Sequence, residues 1–522
     1  MLPVLRRLLW LPALAGPIAL ISVLWQFNRF VDAAHWNSDA VATALVAEDL
    51  AHHVGGATVL GDVSSLSTLL AFRATEWLPA HRWVWGAMPY ALTLLGIALL
   101  ALAAYWLAGR GAAATTAAIA LAVSADVLFT QIAPAFRATT WFSVALLAAF
   151  VVLLAGDRLR GPWLAASAVL IGLVTGINAV SDPLLIVIGL IPLAIALVAV
   201  IVGHPARRSL VAPLAAFVAG LVVSGAAGIE VMRALDLSTH KAGTAYLARA
   251  RGDLVTTHLH QYWTDLLALA GTTDGPGAIR WWAVPAIVAL VAGLVAIPVM
   301  AVVASRRGGA RAARTPFLAF WTATIVLLTI GFIVSGTPNG LGGVATDRYL
   351  VPLVIAVAAT LPVLCAAPLR ARCLGAVAAT ALVIPGLVTI ATGDMAVRRE
   401  AQPQAQQAAA IASWLASEGA TAGYADYFTA LATTYNTPLT VRTLEACKPP
   451  SAHVLCRGTI NTRDAWYARD GRARTFIMVN RGTGNGRALA AALPHAHLPR
   501  PVATRQFGDI DVLVYRGDIT IS

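Results

Sequence analysis

Charge is what this sequence has least of: Asp, Glu, Lys and Arg make up 12% of its 522 residues, against 58% apolar or aromatic ones. Soluble domains carry about 25% charged residues, so a water-covered surface over the whole length is excluded. Lysine is nearly missing, with only Lys241 and Lys448, and the net charge of +12 therefore rests on arginine. Two chemical signatures are lacking as well, a Gly-rich nucleotide loop and a Ser-His-Asp arrangement. A sequence pI near 10.1 would ordinarily raise nucleic acid as a partner. The positions of the arginines argue instead for membrane topology and no nucleic acid.

What the sequence does have is long apolar runs. A spanning helix needs about 20 mostly apolar residues at about 1.5 Å each. Eleven segments qualify, near 8–28, 86–108, 113–131, 138–156, 162–180, 183–203, 210–232, 282–304, 316–335, 349–367 and 374–392. The first follows Arg6 and Arg7 but is too long for a signal h-region and lacks a clear A-x-A site, which predicts a retained helix. With the N-terminus cytoplasmic, the inner loops hold Arg6, Arg7, Arg110, Arg158, Arg160, Arg207, Arg208, Arg306, Arg307, Arg311, Arg314, Arg370 and Arg372, and the short outer loops hold only Arg137 and Arg348. That bias fixes the expected orientation. Among acids only Asp157 falls inside, and among histidines only His204, so the chemistry is expected to face outward. The inner loops are too short for a nucleotide-driven engine.

The expected organisation is a polytopic α-helical membrane domain over 1–392, with outer loops at 29–85 and 233–281, followed by a small extracytoplasmic α/β domain over 393–522. The odd number of spans puts the termini on opposite sides, and no two-half repeat is seen, which weighs against an inverted-repeat transporter.

The first outer loop opens with Asp32-Ala-Ala-His35-Trp36-Asn37-Ser38-Asp39 at the membrane exit. Ala40–Val54 follows with Val41, Leu45, Val46 and Leu50 at helical spacing, which predicts an amphipathic helix on the outer leaflet, capped by Ser38 or Asp39. Asp39 is either that cap, a catalytic carboxylate, or both. Farther on, Glu76, Trp77, His81, Arg82, Trp83 and Trp85 precede the second span: the tryptophans are read mainly as interfacial anchors, while His81 and Arg82 either meet an anionic headgroup or snorkel.

Ionisable groups in the spans default to function. Asp126 has no simple structural explanation, whereas Asp182, before Pro183, is also placed to cap the sixth span, and Glu230 with Arg233 forms an (i, i+3) pair. The second loop carries His240, Lys241, Arg249, Arg251, His258, His260, Tyr262, Trp263 and Asp265, a basic and aromatic set suited to a phosphate plus a sugar, or simply to a solvated helix. His258-Leu-His260 lacks a third metal ligand at convincing spacing, so no metal site is assigned, although a divalent cation is left open. A third hairpin ends Asp347-Arg348-Tyr349-Leu350-Val351-Pro352, where Arg348 either binds a lipid phosphate or anchors at the interface with Tyr349.

In the tail, Gln402–Ser417 reads as a helix with Ile411, Trp414 and Leu415 on one face, and Arg487–Leu493 as a second one. Strands are expected at Ala422–Tyr427, Leu439–Arg442, Thr475–Val479 and in a hairpin across Val502–Tyr515 turning at Gly508-Asp509. Cys447 and Cys456 are disulfide candidates on the oxidising side, whereas Cys365 and Cys373 lie at the inner face.

The whole pattern resembles an actinobacterial GT-C superfamily glycosyltransferase, an integral membrane enzyme dependent on a polyprenyl-phosphate sugar. The matching features are the acidic first loop at Asn37-Ser38-Asp39, the many spans, the stretch Asp347–Pro352, and a tail opening with a helix and Gly423-Tyr424-Ala-Asp426-Tyr427. The resemblance implies Asp39 as general base, Arg348 with Arg82 and Lys241 on the donor phosphate, and Asp126, Asp182, His35, His81 and Tyr349 near the substrates. It implies a polyprenyl-phosphate sugar donor, a cell-envelope glycan, glycolipid or protein acceptor, and the bilayer as partners. Two rivals are a transporter or flippase with Asp126 and Asp182 in its pathway, and a cell-wall glycan ligase or polymerase. Adjacent acids, common in that loop, are absent here because Ser38 and Ala40 flank Asp39.

Overall fold

The computed structural model of the protein describes all residues except 1–10, 37, 53–57, 61–64, 124–136, 157–158, 160, 204–206, 240–251, 271–282, 308–313, 335–348, 366–368, 393–395, 448–453, 460–461, 468–470, 520 and 522. In chain order the membrane part comprises α1 (Leu11–Trp25), α2 (Phe27–Ala34), α3 (Ser38–His52), β1 (Thr58–Leu60), α4 (Ser65–Thr75), α5 (His81–Ala108), α6 (Arg110–Val123), α7 (Ala138–Ala155), α8 (Pro162–Ser181), α9 (Ile191–Gly203), α10 (Val211–Ala234), β2 (Leu237–Thr239), α11 (Gly252–Leu269), α12 (Val284–Arg307), α13 (Arg314–Val334), α14 (Val351–Leu364) and α15 (Leu369–Thr392). The terminal part follows with α16 (Ala396–Ser417), β3 (Ala422–Ala425), α17 (Tyr427–Asn436), β4 (Thr440–Ala446), β5 (Leu455–Arg457), β6 (Thr462–Arg463), β7 (Arg474–Asn480), α18 (Gly484–Ala492), β8 (Ala503–Phe507) and β9 (Ile510–Arg516).

Among the described residues, α5, α7, α8, α10, α12 and α13 are long and apolar enough to cross a membrane, and shorter apolar helices lie at Leu14–Trp25, Ile186–Val202, Val351–Leu364 and Arg372–Val388. The chain is a multi-pass membrane protein. Its organisation is the polytopic helical one expected: many apolar helices, a long segment between the first two of them and a terminal α/β region. Each of the eleven expected spans contains a helix, with shifted ends. The first breaks at Gln26, before α2, and the second starts earlier, at His81, so that His81, Arg82, Trp83 and Trp85 lie on its opening turns instead of in a loop.

Small residues set the closest helix approach. A Cβ at Gly176 of α8 would collide with the Leu221 carbonyl and Ser224 hydroxyl of α10, the use of glycine that lets helix backbones meet in lipid. Between α8 and α9 the chain turns at Asp182-Pro183 and continues as a π-helical stretch, Ile186–Leu190. Such a stretch loosens the local carbonyl pairing, and the Thr324 hydroxyl of α13 donates to the Ile188 carbonyl at 3.1 Å.

Three segments far apart in sequence form one small sheet of order β2-β1-β6. Thr58 pairs with Leu237 in parallel and with Arg463 in antiparallel register. The first loop, the second loop and the tail therefore meet at one end of the bundle. The terminal region is built on a mixed six-stranded sheet of order β5-β4-β3-β7-β9-β8. Phe476, Met478, Val512 and Val514 on one face join Ile411 and Leu415 of α16 in a compact core. Cys447 and Cys456 are joined by a disulfide beside the β4–β5 pairing, with Cα atoms 5.1 Å apart, and Cys365 and Cys373 are free thiols.

Candidate functional site

The helix expected on the leaflet surface is α3, and its environment corrects that expectation. It begins at Ser38, so Ser38 and Asp39 lie within its first turn, and every residue from Ala40 to Ala47 is buried. It is covered by α17 of the terminal domain, a helix absent from the sequence expectations, and the strand expected over Ala422–Tyr427 ends at Ala425. Asp426 occupies the N-cap position of α17, and Tyr427 is its first residue.

Contacts of α17 with the first loop are polar at both of its ends. At its start, the Ser38 hydroxyl donates to the Phe428 carbonyl at 2.6 Å, and the Tyr427 hydroxyl donates to Asp39 Oδ1 at 3.1 Å. At its end, Asn436 Nδ2 donates to the His35 carbonyl at 2.6 Å, and the Tyr435 and His35 rings lie 5.2 Å apart. Arg82 sits over the Tyr435 ring at 4.8 Å and pairs with Glu48 at 2.9 Å. The next residue of α3, Asp49, accepts from Trp466 Nε1 at 2.9 Å and from the fully buried Arg463. Asp39 is half-buried at the seam between bundle and terminal domain, in the first turn of a helix, where the backbone dipole favours a carboxylate. Asp426, the residue before Tyr427, is fully buried, and burial raises its carboxyl above the usual range despite help from Thr429 and Thr483.

His35 packs against Gly86, where a Cβ would lie 2.7 Å from its Nε2 and 2.8 Å from Val31 Cγ1. A side chain there forces the ring out of the seam. Gly86→Val is expected to destabilise the protein by about 1–3 kcal/mol, the usual cost of overpacking, read as a lower unfolding temperature in nanodiscs. Burial lowers the His35 pKa below its ordinary 6.5, with Asp32 opposing. A base held neutral in the folded state costs nothing above 6.5, and its penalty grows as pH falls below that value, because the unfolded chain then binds the proton more readily. Thermal stability should therefore drop between pH 7.5 and pH 5.5 by more in the wild type than in His35→Asn.

A second cluster forms where α7, α8 and α14 end. Asp182 is buried and accepts from the Thr140 hydroxyl at 2.6 Å and the Leu184 amide at 3.1 Å. Arg137, equally buried, pairs with Asp182 at 3.8 Å and lies 4.6 Å over the ring of Tyr349. Two residues picked from sequence, Asp182 and Tyr349, thus meet through Arg137, which sequence reading counted only for topology. The link to the first loop is direct, since the Ser67 amide of α4 donates to Ser181 Oγ at 3.1 Å. From the other end of α4, Phe72 meets His81 and Trp85 edge-on at 5.7 and 5.2 Å.

Two solved structures align with nearly the whole chain. Solved structures of ArnT from Cupriavidus metallidurans align with it, one bound to undecaprenyl phosphate and one in the apo state, each at 14% identity over 96% of this chain. They cover 97% and 98% of those chains, with TM-scores of 0.40 and 0.39. No family model and no curated protein matches the sequence.

Arg348, Lys241 and Asp126 lie outside the described residues. Among the described residues no three His, Cys, Asp or Glu side chains group as metal ligands. On α11, His258 is buried with Nδ1 2.9 Å from the Ile333 carbonyl, whereas His260 is exposed. These two do not share a site. Glu230 and Arg233 form an exposed pair at 2.6 Å.

Proposed function

We propose that this protein is a membrane glycosyltransferase that moves a sugar from a polyprenyl-phosphate donor to a cell-envelope acceptor at the outer face, with inversion. The observation that carries this reading is Asp39: a half-buried carboxylate at the mouth of an apolar bundle, held by Tyr427 beneath a terminal α/β domain. A lipid donor lies with its chain along the bundle and its phosphate at this boundary. Asp39 accepts the acceptor's hydroxyl proton. The freed oxygen bonds to the anomeric carbon as the bond from that carbon to the phosphate oxygen breaks, and the polyprenyl phosphate leaves with the electron pair. Arg348 and Lys241, with Arg82 near the same seam, stabilise the charge growing on that phosphate. Arg137, Asp182 and Tyr349 shape the boundary nearby.

A transporter uses charge near the bilayer midplane; among the described residues the buried pair Arg137 and Asp182 sits instead at helix ends. The test is transfer of labelled sugar from a polyprenyl-phosphate donor by membranes containing the protein. Label appearing in lipid-free or envelope glycan supports the reading. Movement of intact donor across vesicles without sugar transfer overturns it.

A further inference from the structure

The terminal domain holds a cavity remote in sequence from Asp39. Its volume is about 690 Å³, and it lies between the face of β9 and β8 that carries Asp511, Leu513, Tyr515 and Thr504 and a strap running from Leu493 to Pro501. The opposite face of the same strands packs on α16, so the sheet is fixed from behind and this face is open. Pro494, Pro499 and Pro501 stiffen the strap, because proline fixes its backbone torsion. The floor is apolar, from Val479, Leu498, Leu513 and Tyr515, and the rim is basic, from Arg481, Arg500 and His497.

The charge on that rim is unbalanced. Among the described residues Asp511 is the one acid on the cavity wall, and Arg481 already takes it, through Nε and Nη2 at 2.6 Å each. Arg500 is exposed on the rim, whereas Arg505 alternates onto the α16 face of β8, where it stacks at 5.0 Å over Phe507. Thr504 and Gln506 add hydroxyl and amide groups to the cavity wall. A cavity of this size holds a small-molecule-sized ligand, guanidinium groups select carboxylate or phosphate oxygens, and neutral polar groups on a sheet face suit sugar hydroxyls. We propose that this cavity binds an acidic saccharide unit, one bearing a carboxylate or phosphate, as a site separate from the transfer centre.

The experiment uses full-length protein in phosphatidylcholine nanodiscs, titrated with trigalacturonate and, in parallel, with the neutral maltotriose. Trigalacturonate should bind at least ten-fold more tightly. Arg481→Ala/Arg500→Ala should weaken it ten-fold or more, while Arg516→Ala, an exposed arginine outside the cavity, and Asp39→Asn should leave it unchanged. Equal affinity for both trimers overturns the proposal, and so does binding that survives the double substitution. Equal loss in Arg516→Ala also overturns it, since that marks general attraction to a basic protein or to a lipid surface. Glucuronate and glucose 6-phosphate as competitors then separate a carboxylate from a phosphate ligand. Sugar transfer enters none of these readouts, so failure here leaves the glycosyltransferase reading standing, and the reverse holds equally.

Discussion

Asp39→Asn should abolish sugar transfer, lowering the rate by at least about 10²–10⁴-fold, the contribution of a positioned general base, while the protein still inserts and folds. Asn matches Asp in shape, and its carbonyl oxygen still accepts from the Tyr427 hydroxyl, so the bond across the seam persists. The Ser38 bond to Phe428 and the Asn436 bond to His35 do not involve the carboxylate. What is lost is a base for the acceptor proton. The unfolding temperature in nanodiscs should stay within about the range of a surface substitution, with transfer gone. Unchanged transfer sinks the assignment. A protein that also loses stability reports Asp39 as a docking residue. Tyr427→Phe separates the two roles from the other side: it removes the orienting bond but keeps the base, so a fall in rate with a shifted acid limb of the pH profile marks Tyr427 as a positioning residue. A loss of stability alone makes it structural.

How much of this was legible beforehand depended on whether the signal was local. The apolar runs gave the helices, because about 20 consecutive apolar residues have few other uses. Alternation and the Gly508-Asp509 turn gave the β8–β9 hairpin, whose register joins Phe507 to Ile510. Asp39 stood out by its place at a membrane exit. The roof over it did not, because Tyr427 is 388 residues away in sequence and no local period encodes that contact. The same cause explains the misreading of α3. Its spacing is helical, but Ala40–Ala47 are all buried, with α17 and α4 packed against the helix, and a half-polar pattern reads equally as a water-facing side. Arg137 was present in the topology count; the signal that singles it out, an outer arginine directly ahead of an apolar helix, is the same one that drew attention to Arg348. The β2-β1-β6 sheet pairs strands of two or three residues, too short for any alternation to register.

Breaking the buried pair at the helix ends should produce the largest stability change. Asp182 and Arg137 have side chains only 3% and 4% exposed. Removing one partner of such a pair leaves the other charge in a low-dielectric site, at a cost of about 3–5 kcal/mol. Asp182→Ala also strips the acceptor from the Thr140 hydroxyl and the Leu184 amide, both of which then stay buried without it. The guanidinium of Arg137 keeps the Tyr349 ring, and a cation–π contact at about 2 kcal/mol when desolvated does not replace a carboxylate. Arg137→Met should cost about as much in the other direction. The double substitution Arg137→Met/Asp182→Ala should then cost clearly less than the two single ones together, because it removes both charges at once. Unfolding of the three variants in nanodiscs measures this cycle. Additive losses would show that the two side chains act independently, through packing alone, and that the ends of α7, α8 and α14 are held together by something other than this pair.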